Sequence, residues 1–109
     1  MLVLAAAGSG WYSAPDAQAR ERLVRRLQDF FDGWIASGAT LVGSFDDDFF
    51  VVGQPSSVGW SIAVLFDVPD LEIVVDRLNT LRQDVDGLRL DSAFRVEARV
   101  GRNLFFLER

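Results

Sequence analysis

Few side chains in this 109-residue sequence can do acid–base or nucleophilic chemistry. There is no Cys and no His, and all eleven basic residues are Arg. That removes thiolate nucleophiles, disulfides, imidazole bases, the usual zinc and haem ligands, Schiff-base lysines and phosphate-loop lysines together. Carboxylates, a single Tyr and guanidinium groups of fixed charge remain. Among the four Glu, Glu97 stands between Arg95 and Arg99 at alternate positions, the spacing that puts three side chains on one face of a β-strand. Flanking guanidiniums hold such a carboxylate ionised, suited to orienting a ligand or accepting a proton, while desolvation in a closed pocket raises its pKa. The triplet is therefore a candidate floor for an acidic or phenolic ligand, with Glu97 handling a proton and Arg95 and Arg99 holding an anionic group. It serves equally as a charge ladder on a wet or dimeric sheet face. Tyr12 is the second candidate for proton handling, and Trp11, Trp34 and Trp60 are candidate pocket walls, because aromatic side chains line most small-molecule sites. Trp11 and Tyr12 sit in a loop, where function concentrates. Trp34 and Trp60 fit core packing as well.

Other constellations fall away. Asp46-Asp47-Asp48 offers oxygens to a hard cation, but neighbouring strand residues point to opposite faces and no glycine-spaced calcium loop follows. An acidic stretch protecting a strand edge explains it better. No metal and no cofactor is expected. Gly8-Ser9-Gly10 follows a strand and precedes a helix without the full dinucleotide fingerprint. The net charge of −5 speaks against nucleic acid. Arg20, Arg22, Arg25 and Arg26 interleave with Glu21, Asp29 and Asp32 at helical spacing, which reads as a solvated, salt-bridged helix face. The apolar opening lacks the positive region of a signal peptide and reads as a buried strand. No run approaches the ~20 apolar residues of a membrane span. The cytoplasm is the expected location, with no membrane partner.

The elements that must position these groups follow from periodicity. Leu2–Ala7 is a short apolar run closed by Gly8-Ser9-Gly10, a first strand. Ser13, with Asp16 three residues on and Pro15 between, resembles a capping box at a helix start. Leu23, Leu27, Phe30, Phe31 and Trp34 then form one apolar stripe, ending near the Gly38 cap. Residues 39–52 read as a strand with a bulge or an irregular acidic stretch, followed by a turn at 53–57. From Val58 to Phe66, Val58, Trp60, Ile62, Val64 and Phe66 give a large face, and Gly59, Ser61, Ala63 and Leu65 a mostly small one. Pro69-Asp70 opens a second helix with the stripe Leu71, Val74, Val75, Leu78 and Leu81, leaving Asp76, Arg77 and Arg82 outward. A strand over residues 94–100 and a short terminal strand at Leu104–Leu107 complete the chain.

This β-α-β-β-α-β order over residues 1–109 is the α+β, ferredoxin-like split βαβ arrangement, a single domain with both helices on one face of a four-stranded sheet. The free face, carrying Gly59, Ser61, Ala63, Leu65, Arg95, Glu97 and Arg99, together with the Phe-rich terminal strand, favours a homodimer. Trp11-Tyr12-Ser13-Ala14-Pro15-Asp16-Ala17, Phe66-Asp67-Val68-Pro69-Asp70-Leu71, and Phe-Arg-Val-Glu at 94–97 followed by Gly-Arg-Asn-Leu-Phe at 101–105 resemble the dimeric α+β barrel superfamily, and within it the darcynin-like group of small bacterial proteins. That superfamily includes cofactor-independent monooxygenases, polyketide cyclases, dehydratases and haem-degrading enzymes. The resemblance implies a dimer with a pocket for a small, often aromatic molecule. Many of those relatives use a pocket His, which this chain lacks, so their catalytic residues do not carry over. The expectation is a cofactor-independent cyclase, isomerase or monooxygenase of secondary or aromatic-compound metabolism. The competing expectation is a non-catalytic accessory or assembly protein.

Overall fold

Leu2–Ala7 extends as β1, its run of apolar residues buried on both faces as a central strand requires. A single turn, α1 (Ser9–Tyr12), leads to the long helix α2 (Ala17–Ala36), then strands β2 (Thr40–Asp46) and β3 (Ile62–Asp67), helix α3 (Leu71–Asn79), a second short turn α4 (Leu90–Ala93) and strand β4 (Phe94–Arg99). This computed structural model describes residues 1–47, 52–53, 59–84, 87 and 89–102. The terminal strand expected at Leu104–Leu107, and the part of the second strand beyond Asp47 up to Val51, lie outside the described residues.

Aspartates start both longer helices. The Ala19 N–H donates to Asp16 Oδ1 at 2.8 Å, and the Ile73 N–H to Asp70 Oδ1 at 2.9 Å, each filling a backbone donor that has no partner inside the helix. Ser13, expected as the first cap, instead closes α1. Asp16 takes that role because it lies directly before the first turn with extended backbone angles, and Pro15 sits just outside the helix. At the other end of α2, Gly38 takes φ 109°, as a left-handed cap requires.

The four strands pair antiparallel in the order β2-β3-β1-β4, giving an α+β sheet compatible with a ferredoxin-like arrangement. Val3 lies opposite Val64 and Ala98, and Leu4 opposite Ala63 and Glu97. Successive residues therefore divide cleanly between a helix-covered face and an outer face. Val3, Val64, Phe66 and Phe94 line the covered face beneath Leu23, Leu27, Phe30 and Trp34 of α2 and Val74 of α3. Trp34 is fully buried, stacked on Phe66 at 5.8 Å and edge-on to Phe30 at 5.9 Å.

Two expectations are corrected, and one open alternative is decided. The strand expected to start at Val58 begins at Ile62, so Trp60 precedes it. Of the bulge and the irregular acidic stretch offered for the second strand, β2 has the bulge, between Leu41 and Gly43, and Asp46 pairs in register with Ile62. The buried stripe of α3 is also rotated, with Ile73, Val74 and Leu78 packed inward and Leu71 and Val75 64% and 57% exposed. A nine-residue helix at the margin of the sheet needs only a narrow apolar face. Among the described residues no helix is long and apolar enough to cross a membrane.

Gly8-Ser9-Gly10 has a packing role. A Cβ on Gly10 would lie 2.6 Å from the Ser92 carbonyl oxygen and 2.9 Å from the Ala93 nitrogen, so the absent side chain lets α1 sit directly on the backbone of α4. Ala favours helix over Gly by about 1 kcal/mol, but that backbone collision outweighs it. Gly10→Ala is expected to lower stability by about 1–2 kcal/mol net in urea unfolding. Gly101→Ala, with open space around it, should stay within about 0.5 kcal/mol.

Candidate functional site

Alternation along β4 buries Phe94 and packs Val96 inward, which places Arg95, Glu97 and Arg99 together on the outer face. The expected triplet therefore shares a face, but it is not one network. Arg99 Nε donates to Glu97 Oε2 at 2.8 Å, with both side chains largely exposed. Arg95 turns away: its guanidinium lies 5.4 Å over the Trp60 ring and donates to the Gly59 carbonyl at 3.0 Å. This contact holds half-buried Trp60 at the end of the sheet, outside the core that its alternation pattern suggested. The middle of the outer face is apolar, with Leu4, Ala6 and Ala63 buried, and no described helix packs on it.

The remaining candidates are dispersed. Tyr12 ends α1 and is 73% exposed. Trp11 is half-buried, 5.6 Å from Phe94, with Arg20 5.9 Å above its ring. Trp34 lies sealed inside the core, where no ligand reaches it without displacing α2, so its place is structural. Arg89 forms a two-point pair with Asp91, Nε to Oδ1 at 2.9 Å and Nη2 to Oδ2 at 2.5 Å. The hydrogen bond first, and the charge of Asp91 second, raise the Arg89 pKa. Among the described residues no three His, Cys, Asp or Glu side chains converge on a point.

A concave site lies elsewhere, on the helix-covered face between α2 and the β2 side of the sheet. Val24, Leu27, Phe31 and Ile35 form one wall, and Leu41, Ile62, Val64 and Phe66 form the other. The groove holds about 340 Å³, and its polar lining comes only from Gln28, Asp32 and Ser44. Ile35 is 50% and Leu41 46% exposed, so the groove opens along its length. A shallower depression of about 440 Å³ beside Trp11 shares Val24 and Gln28 with it. The sequence carried a sign of this groove: Val24, Phe31 and Ile35 recur at 0, +7 and +11 beside the core stripe, making the apolar arc of α2 wider than simple cover needs.

No protein family matches this chain, and no curated protein or solved structure does either. The Glu97–Arg99 pair is open to water, so Glu97→Gln should change stability by less than about 1 kcal/mol. Arg95→Ala removes a cation over a ring and a charged hydrogen bond, and is expected to cost about 1–2 kcal/mol in the same urea titration.

Proposed function

We propose that this protein binds a small, flat, predominantly apolar organic molecule, aromatic or polyketide-like, in the groove between α2 and β2–β3. The observation that carries the reading is the groove itself: about 340 Å³ with eight apolar lining residues and three polar ones. That size and chemistry suit a ligand of one or two rings, at the small end of the range for such sites. Any reaction is cofactor-independent proton transfer, cyclisation or oxygenation of a substrate reactive in its own right. Asp32 is the one titratable side chain at the groove, whereas Glu97 belongs to the opposite sheet face and Tyr12 to α1.

The ferredoxin-like order and the outer face support a homodimer of the dimeric α+β barrel kind. Half-buried Leu2 and Leu65 with 58%-exposed Phe45 offer an apolar strip, and β4 carries charges of both signs on the same face. A two-fold axis across such a face can set Arg of one copy against Glu97 of the other. If the protein is a non-catalytic assembly module instead, this face is its working surface and the groove is idle.

Titration with aromatic acids and phenols, followed by tryptophan fluorescence and calorimetry, separates the two. The expected result is saturable binding that Leu41→Glu weakens at least tenfold and Glu97→Gln leaves unchanged. Absence of binding across the panel sinks the groove reading. Light scattering at micromolar protein is expected to give twice the 12.1 kDa chain mass, with Leu65→Glu giving the single mass. A wild-type monomer rules out the dimer.

A further inference from the structure

A second concavity, on the far side of α2 from the apolar groove, has the opposite chemistry. It lies between α2 and α3, holds about 280 Å³, and is bordered by Arg26, Asp29, Arg77, Thr80 and Gln83. Two cations against one carboxylate make its border positive in a chain of net charge −5. We propose that it is a binding site for a small oxyanion, the phosphate or carboxylate group of a metabolite.

Arg77 is held there by shape. Its guanidinium lies against Gly33 of α2, where a Cβ would come within 2.0 Å of Nη2, and Nη2 reaches the Phe30 carbonyl at 3.5 Å. Nε is buried without an acceptor among the described residues. Among the described residues, then, one weak bond serves a group with five N–H donors. Neither Arg77 nor Arg26 forms an ion pair among those residues, and the ion pairs that do form, Arg89–Asp91 and Arg99–Glu97, lie elsewhere. Arg26 stands four residues before Phe30, about 6 Å along the helix, close enough for two guanidiniums to converge on one anion. The Thr80 hydroxyl donates to the Arg77 carbonyl, which leaves the Gln83 amide as the neutral donor at the rim. A fixed guanidinium short of acceptors binds an oxyanion without the ordering cost of a free surface Arg. Asp29 opposes the anion and sets the affinity below what two Arg alone would give.

The test is calorimetry on the full chain with inorganic phosphate and with succinate, each against sodium chloride at matched ionic strength. Saturable binding of phosphate or succinate is expected, and the arm that responds names the group. Arg26→Gln and Arg77→Gln should each weaken it at least tenfold, Gly33→Ala should weaken it by displacing the Arg77 guanidinium, and Asp29→Asn should tighten it severalfold. If Arg77→Gln does not fold, Arg26→Gln and Asp29→Asn still decide the matter. No binding above the chloride control, or affinity indifferent to Arg26→Gln and Asp29→Asn, overturns the proposal. Because Leu41→Glu lies on the other side of α2 and should leave oxyanion binding intact, failure here is distinct from failure of the apolar groove.

Discussion

The stack of Trp34 on Phe66 fixes where α2 crosses the sheet, and much of the molecule follows from that position. Removing a buried aromatic of this size costs about 3–5 kcal/mol. Among the described residues its indole Nε1 has no hydrogen-bond partner, a penalty of about 1–3 kcal/mol that the ring's contacts must exceed. With α2 pinned over β3 and β1, a helix about 10 Å across cannot also cover edge strand β2. The flank of β2 stays open, and Leu41 with the second stripe of α2 becomes a groove rather than part of the core. The groove is a consequence of helix count: one long helix and one of nine residues share the same face of four strands.

Glycines decide how the smaller elements close on this frame. Gly10 brings α1 onto the α4 backbone, and Gly33 makes room for Arg77 between α2 and α3. Both are places where a side chain would hold two elements apart. Gly43 allows a third close approach, since the Phe45 ring lies over it on the outer face of β2, covering backbone that a glycine leaves bare. These contacts are between elements distant in sequence or across a strand turn of the pleat. Nothing in the local pattern distinguishes such a glycine from one in a loop.

Residues whose behaviour depends on near neighbours in the chain could be read from the sequence. The stripe Leu23, Leu27, Phe30, Trp34, the Gly38 cap, the Asp70 start of α3 and the division of Ala63, Leu65, Arg95, Glu97 and Arg99 onto one face all follow from period and capping chemistry. Misreadings arose where two local signals competed or a distant partner decided. Ser13 and Asp16 both suit a cap, and the residue adjoining the turn takes it. Trp60 continues a perfect alternation, yet Arg95 from β4 draws it to the sheet end. Arg77 occupies an outward position on α3, but α2 offers a bare glycine beside it. The candidate site was least legible, because a groove is made by what fails to be covered. Spacing along one helix hints at that, and only packing settles it.

The absence of Cys, His and Lys acquires a spatial meaning once the faces are separated. The apolar groove has one carboxylate, Asp32, at its rim and no cation among its lining residues, while two guanidiniums and the Asp29 carboxylate border the α2–α3 concavity. Guanidinium keeps its charge at any pH the fold survives, so it can orient an anion but not shuttle a proton. Carboxylates in general are weak bases for an unactivated carbon acid. The α2–α3 concavity thus sets a carboxylate beside cations, and the apolar groove does not. On the proposed reading, a reaction in the apolar groove draws its driving force from the ligand, by an acidic proton or an electron-rich ring, and the protein's share is to exclude water and hold a geometry.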